Sequence, residues 1–361
     1  MPTIRLLLRL ALHRKWNILQ LDISNAFLHG DLTEDIYMKT TAGIYRSQPP
    51  NRGNNHKEIQ SLLQELNSTF ALKQLGHANL FLGIQVQTHS QGLFLTQAHY
   101  AATLLKSVGM TECKSASTPM DSTSSSKHNT SQSFSDPSLY RRLAGSLQYL
   151  SITRPDIAFA TNKVCQHMQT PTVQHYKELK RILCYINGTL SFGLPIVTGD
   201  LHIHSYTDAD WASDNTDRKS TSGFYNFIGP NLISWTVKKQ VTVEKSSTEA
   251  EYRSLSADIS EVIWLRRLAA ELQIEQKTPT SVYCDNISAI VIAKNPVFHA
   301  RTKHIEIDYQ FIRQHIASGD IQIQNIPSQH QIADILTKPL SVSRFNELRH
   351  KLTIQSNECF T

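Results

Sequence analysis

His202-Ile203-His204-Ser205-Tyr206-Thr207-Asp208-Ala209-Asp210-Trp211 decides how the second half of this chain folds. The stretch alternates in strand fashion, which puts Tyr206, Asp208 and Asp210 on one face. A lone carboxylate in the middle of a sheet costs several kcal/mol unless it is paired or metal-bound. The elements downstream can supply partners. Thr221–Gly229 and Leu232–Gln240 read as two further strands joined by tight turns, the second turn being Gly229-Pro230-Asn231. Ser247–Leu272 reads as a long helix with Leu255, Ile259, Val262, Ile263, Leu265 and Leu268 on its apolar face. A strand at Ser281–Asp285, helices at Ile287–Lys294 and Ile305–Ala317, a strand at Ile321–Ile326 and a last helix starting at Ile332–Leu336 follow. That order predicts an α/β sheet with helices packed on it.

Four carboxylates fall in four separate motifs of this block: Asp208, Glu251, Asp285 and Asp334. Two Mg²⁺ ions held together by three or four such groups activate a water and stabilise the leaving oxygen of a phosphodiester. Mg²⁺ prefers carboxylate and water oxygens. Each residue also has an ordinary structural explanation. Asp208 can sit on a solvated polar face. Ser246 reads as an N-cap with Glu249 at the third helical position of a capping box, which gives Glu249 a structural task. Glu251 lies two residues on, four before Leu255, and so on the buried side; it is the chosen ligand. Asp285 can cap the helix that follows it, and Asp334 sits in a first helical turn, where the dipole favours it regardless. Together the four are stronger than any one. His330, four before Asp334, is a candidate proton shuttle or an ordinary loop residue.

Net charge is +6 over 361 residues. A mild basic excess fits an anionic partner such as nucleic acid, or a merely basic protein. Arg218, Lys219, Lys238, Lys239, Arg301, Lys303 and His304, with Trp211, Trp235 and Lys245, surround the acidic motifs and are candidates to track a phosphate backbone. The five cysteines, Cys113, Cys165, Cys184, Cys284 and Cys359, form no Cys-x-x-Cys pair. That argues against a disulfide framework or a zinc site and for a reducing, intracellular compartment. No apolar run is long enough to cross a membrane.

Four segments precede the sheet. Residues 1–57 carry a helix, a strand near Asn17–Ile23 and a polar break at 46–57. The helix has Ile4, Leu7, Leu8, Ala11 and Leu12 on one face; its Arg5, Arg9, Arg14 and Lys15, without acidic residues, also look like a mitochondrial transit peptide. Residues 58–120 predict a helix at Glu58–Thr69, a hairpin of Leu80–Gln87 and Gly92–Thr96, and a helix at Tyr100–Val108. Residues 121–135 are a Ser/Thr-rich linker expected to be disordered. Residues 136–195 are mostly helical, broken at Thr153-Arg154-Pro155-Asp156 with Pro in a first turn.

These residues resemble a copia-type retrotransposon polyprotein. Leu21-Asp22-Ile23-Ser24-Asn25-Ala26-Phe27-Leu28-His29-Gly30 and Ile36-Tyr37-Met38 resemble the first palm motif of its reverse transcriptase. Phe81-Leu82-Gly83-Ile84, Thr118-Pro119-Met120, Gly145-Ser146-Leu147-Gln148-Tyr149-Leu150 and Thr153-Arg154-Pro155-Asp156-Ile157 resemble the connecting region. Asp208-Ala209-Asp210-Trp211, Ser220-Thr221-Ser222-Gly223, Ser246-Ser247-Thr248-Glu249-Ala250-Glu251-Tyr252 and Ala333-Asp334-Ile335-Leu336-Thr337-Lys338 resemble its RNase H. The resemblance implies an RNase H-like mixed five-stranded sheet with flanking helices over 196–352. An incomplete α+β palm and a largely helical connection would precede it. It also implies cleavage of the RNA strand of RNA–DNA hybrids with two Mg²⁺ or Mn²⁺ ions on Asp208, Glu251, Asp285 and Asp334.

One departure matters. The family polymerase carries a Tyr-x-Asp-Asp hairpin, and this chain contains no Asp-Asp pair. The family order places that hairpin just before Gly53-Asn54-Asn55, yet Gly43-Ile44-Tyr45 precedes it by only a few residues. Asp22 is thus an orphaned polymerase residue, and loss of reverse transcription is expected. The alternative to a working RNase H is an inert nucleic-acid-binding remnant.

Overall fold

The structure is a computed structural model that describes residues 1–23, 56–69, 72–122, 132–214, 216–295 and 306–360. In chain order, α1 (Pro2–His13) leads into β1 (Leu19–Ile23), α2 (His56–Thr69), β2 (Leu72–His77), β3 (Leu80–Phe81), β4 (Ile84–His89), β5 (Gly92–Thr96) and α3 (Ala98–Ser107). Then come α4 (Pro137–Leu150), α5 (Ala158–Cys165), α6 (Val173–Asn187) and β6 (Phe192–Val197). The C-terminal part holds β7 (Ile203–Asp210), β8 (Thr221–Ile228), β9 (Asn231–Lys239), α7 (Ser247–Glu271), β10 (Thr280–Cys284), α8 (Ile287–Lys294), α9 (Glu306–Ala317) and β11 (Ile321–Asn325). A 3-10 turn (Ile332–Leu336), α10 (Val342–Lys351) and β12 (Gln355–Ser356) complete it.

The C-terminal sheet has the order β11-β10-β7-β8-β9. β7, β8 and β9 are antiparallel neighbours, while β10 runs parallel to both β7 and β11. Asp208 therefore lies in the central strand of a mixed five-stranded, RNase H-like sheet. Odd positions of β7 face α7: Thr207 Oγ1 lies 2.9 Å from Ser254 Oγ, and Ser205 donates to buried Asp258. Even positions face the 3-10 turn. That turn can settle onto the sheet because Gly223, opposite Asp208 in the register, has no side chain. A Cβ there would lie 2.6 Å from Leu336 Cβ and 2.9 Å from Thr337 Cγ2. Two sequence expectations change. The link between β7 and β8 is a loop from Trp211 to Ser220 rather than a tight turn, and Ile332–Leu336 is a 3-10 turn, the last α-helix starting at Val342.

A second sheet, β12-β6-β5-β4-β3, collects strands from three distant parts of the chain. It packs with α3, α4 and α6 into one apolar core that also includes Phe227, Leu232, Leu336 and Leu348 from the C-terminal part. The Thr153–Asp156 break, with Pro155 opening a 3-10 turn, is where these parts lock together. Buried Arg154 makes a two-point contact with Asp156 (2.9 and 2.7 Å) and donates to Thr189 O at 2.8 Å. Tyr185 donates to Asp156 at 2.6 Å and accepts from Arg349 of α10 at 3.1 Å. Burial would raise the Asp156 carboxyl, but Arg154 outweighs it and holds the group below its ordinary range.

The N-terminal helix differs from its sequence reading. Leu6 and Leu10 are buried against Ile203, Ile233 and Leu265, Leu8 against the larger core, and Leu7 is 43% exposed. Arg5 and Arg9 are buried too. Arg5 donates to Ile233 O (2.7 Å) and Ile152 O (2.5 Å) and lies 3.8 Å over the Trp235 ring; Arg9 donates to Gly199 O at 2.6 Å. Two of the four basic residues that look like a targeting signal, Arg5 and Arg9, are thus interior groups bonded to backbone carbonyls, while Arg14 is half-buried and Lys15 exposed. Past this helix, β1 and β2 form an antiparallel ribbon that leaves Leu19, Leu21 and Leu75 exposed. Of the Ser/Thr-rich 121–135 segment, residues 123–131 lie outside the described residues, and Phe134 stacks on Tyr176 with centroids 4.2 Å apart. Among the described residues no helix is long and apolar enough to cross a membrane.

Removing one partner of a buried ion pair strands the other charge. Asp156→Ala should therefore lower the unfolding free energy by about 3–5 kcal/mol, read from urea denaturation of the full chain. A loss well under about 1 kcal/mol would mean that this lock contributes little.

Candidate active site

Each of the four carboxylates reaches the same end of the C-terminal sheet from a different element. Asp208 is fully buried in β7. Glu251 is buried in the second turn of α7, behind the N-cap Ser246, which accepts from Glu249 N at 3.2 Å. Glu249 in turn bonds back to Lys245 N at 2.9 Å, so it closes the helix end and leaves Glu251 to face the sheet. Asp285 follows β10 directly. Its neighbour Asn286, not Asp285, caps α8 by accepting from Ala289 N at 2.9 Å. Asp334 is buried in the 3-10 turn.

The four share a pattern. One oxygen of each is held by a protein donor: Asp208 by the Thr337 hydroxyl, Glu251 by Ala209 N–H, Asp285 by Ser328 Oγ at 2.7 Å and Asp334 by Arg344 at 3.3 Å. The second oxygens of Asp208 and Asp334 meet Lys338 Nζ, at 3.1 and 2.7 Å. Glu251 Oε2 is buried and has no hydrogen-bond partner among the described residues. Burial, opposed by Lys338 and assisted by Asp334, pushes the Asp208 carboxyl up to about 6. Burial and the nearby Asp208 and Asp285 charges push Glu251 well above the usual carboxylate range. Burial works against charge on Lys338, but Asp208 and Asp334 outweigh it and keep the ammonium charged. The site is a centre of negative charge that only cations relieve.

This arrangement fits hard divalent ions. The donors are carboxylate oxygens, an unpartnered Glu251 oxygen stands ready, and an ammonium already lies between Asp208 and Asp334. Thr337, Lys338, Ser328 and Arg344 were not singled out by the sequence reading. Thr337 and Lys338 do stand in the Ala333–Lys338 motif, and the opposite charges of Asp334 and Lys338, four apart, are the signal that pointed to that pair.

The basic candidates separate. Arg218 is exposed and Lys219 half-buried on the β7–β8 loop, and Lys238 is exposed on the edge strand β9. Lys239 is committed to Asp214 (2.5 Å) and Asp217 (3.0 Å), so its charge is compensated. Trp235 lies under Arg5, whereas Trp211 is 44% exposed and donates to Glu244 O at 3.0 Å. His330 is exposed. Arg301, Lys303 and His304 lie outside the described residues. Asp22 is exposed on β1, in the ribbon rather than in this sheet.

The comparisons now carry a family. A family model described as reverse transcriptase (RNA-dependent DNA polymerase) matches residues 1–53 and 51–122. The chain is 36% identical to the retrovirus-related Pol polyprotein from transposon RE1 of Arabidopsis thaliana, across 98% of this chain and 28% of that protein. It is 45% identical to an uncharacterized mitochondrial protein of A. thaliana, across 59% of this chain and 88% of that protein. It belongs to the copia-type retrotransposon Pol family. The Pol polyprotein from transposon TNT 1-94 of Nicotiana tabacum is similar as well, at 30% identity over 99% of this chain and 32% of that protein. The chain thus spans about a third or less of the Pol polyproteins it matches. Among solved structures, the N-terminal RNase H domain of rv2228c from Mycobacterium tuberculosis aligns with a TM-score of 0.29 at 13% identity, over 42% of this chain and 98% of that one. A score that low carries no weight, and the strand order itself identifies the fold.

The raised Asp208 and Glu251 give a signed pH dependence in metal-free protein. Between the unfolded carboxylate range and the folded value the native state binds the extra protons. Their stabilisation is present at low pH and lost as pH rises through about 6 for Asp208. Asp208→Asn, which cannot ionise, should stabilise the metal-free chain by on the order of 3 kcal/mol at about pH 8 and by little near pH 4. Urea unfolding at the two pH values checks this, and an equal effect at both would refute it.

Proposed function

We propose that the C-terminal sheet is an RNase H-type hydrolase that cuts the RNA strand of RNA–DNA hybrids, in a chain that has lost DNA polymerase activity. The observation that carries this reading is the convergence of Asp208, Glu251, Asp285 and Asp334 on one end of the sheet, with Lys338 between Asp208 and Asp334 and a buried Glu251 oxygen left without a hydrogen-bond partner among the described residues. When bound there, two Mg²⁺ or Mn²⁺ ions supply an activated water and charge stabilisation at the leaving oxygen. The protein's own part is positioning. Thr337, Ala209, Ser328 and Arg344 set the carboxylates before substrate arrives. Lys338 neutralises the centre in the resting state and, displaced from it, becomes a donor for a phosphate oxygen. Arg218, Lys219 and Lys238 on the rim, with Trp211 beside them, offer contacts to the hybrid backbone, where shape and 2′-hydroxyls rather than base sequence are read. Lys239 is left out of this set because Asp214 and Asp217 hold it.

Loss of polymerisation rests on three observations. The chain contains no Asp-Asp pair. The polymerase family match is split into two segments that meet near residue 52. The alignment to the RE1 polyprotein runs over 415 positions against a chain of 361 residues, so it opens gaps inside this chain. A second reading, an inert remnant, is favoured by the exposed Leu80, Phe81 and Leu82 beside the bare β1–β2 ribbon, apolar surface that a complete palm would cover.

The test is cleavage of a labelled RNA–DNA hybrid by the full chain with Mg²⁺ or Mn²⁺. Metal-dependent scission of the RNA strand is expected, falling about a thousandfold or more in Asp208→Asn and Asp285→Asn, with no primer extension. Absence of cutting by a folded chain would leave the inert remnant.

A further inference from the structure

Cys284 stands inside the acidic centre, yet nothing above gives it a task. It ends β10, immediately before Asp285, and is fully buried. Its Sγ, a carboxylate oxygen of Glu251 and one of Asp285 all lie within 4.8 Å of one another. Glu251 is 6% exposed, and its Oε2 is buried without a hydrogen-bond partner among the described residues. A buried carboxylate oxygen in that state calls for a positive partner.

We propose that Glu251, Cys284 and Asp285 form a mixed thiolate–carboxylate site for a soft divalent cation such as zinc or cadmium. A sulfur ligand changes the choice of metal. Carboxylates and water suit Mg²⁺ and Mn²⁺, whereas a thiolate selects zinc and its softer relatives. Zinc–sulfur bonds are about 2.3 Å and zinc–oxygen bonds about 2.0–2.2 Å, so ligand atoms around one ion sit roughly 3.5 Å apart. Three protein ligands leave a fourth position to water or an anion, as in open zinc sites. Binding exchanges protons for the metal: the Cys284 S–H bond breaks and the Glu251 carboxyl gives up its own proton, the sulfur–metal and oxygen–metal bonds form, and the released protons pass to buffer. The site takes Glu251 and Asp285 away from hard-metal chemistry, so soft cations become inhibitors of hybrid cleavage. That consequence rests on the hydrolase reading, whereas the binding itself does not.

The experiment uses the full chain with Cys113, Cys165, Cys184 and Cys359 replaced by serine, so that Cys284 is the only thiol. Metal-free protein is titrated with cadmium chloride while the ultraviolet sulfur-to-cadmium charge-transfer band is followed. A saturable band is expected with a single equivalent, and Cys284→Ser should abolish it. Glu251→Gln and Asp285→Asn keep the thiol and should each weaken cadmium binding about tenfold or more, since each removes one ligand of three. No band in the folded parent, or a band that persists in Cys284→Ser, overturns the proposal. Where Cys284→Ser does not fold, the two carboxylate variants decide it: unchanged cadmium affinity in both overturns it. Hybrid cleavage in Mg²⁺ is scored separately. A chain that shows the band but cuts nothing keeps the soft-metal site and loses the hydrolase reading; one that cuts but shows no band does the reverse.

Discussion

Burying the Asp208 carboxylate in the middle of a five-stranded sheet is the constraint on which the rest of the C-terminal architecture depends. Full desolvation drives its pKa up, and only nearby donors and cations bring the charged form within reach. Thr337 and Lys338 supply them, so the 3-10 turn that carries both must lie on the sheet. The turn can lie there only because Gly223 presents no side chain to Leu336 and Thr337. Lys338 then draws Asp334 in, and Asp334 draws Arg344 of α10. One buried charge thereby ties down the 3-10 turn and, through it, α10.

The same helix α10 extends the chain of dependence into the preceding region. Arg349 reaches Tyr185, which donates to Asp156, itself clamped by Arg154. Around this polar lock a single apolar core runs from Leu8 to Ile354 and mixes residues of both sheets. Helix α1 closes the other side, its two arginines spent on backbone carbonyls of β9, the 199–200 turn and the end of α4. The acidic site is thus linked through α10 to α6 and the 154–156 turn, and a fragment limited to the C-terminal sheet would expose apolar surface on Phe227, Leu232 and Leu336.

Much of this was legible along the sequence because it is local. The alternation of β7, the apolar stripe of α7, the capping of α7 by Ser246 and Glu249, and helix α8 at Ile287–Lys294 all follow from periodicity and end signals within a few residues. The choice of Glu251 over Glu249 follows too, because a capping box occupies one and helical spacing turns the other inward. What periodicity misjudged was α1, read as amphipathic with Leu7 on its inner face. A helix packed on two sides has no single apolar stripe, and a buried arginine bonded to carbonyls reads in sequence like an exposed one.

The sequence by itself determined the order of elements, the family to which the chain belongs and the identity of four carboxylates in separate motifs, since propensity, spacing and motif are properties of neighbouring residues. Only the tertiary structure decided that Lys338 lies between Asp208 and Asp334, that Lys239 and Trp235 are already engaged, and that Cys284 stands beside Glu251. Those facts join residues far apart in the chain, such as Lys338 with Asp208 and Trp235 with Arg5. Their energies come from burial, and burial depends on how the elements pack.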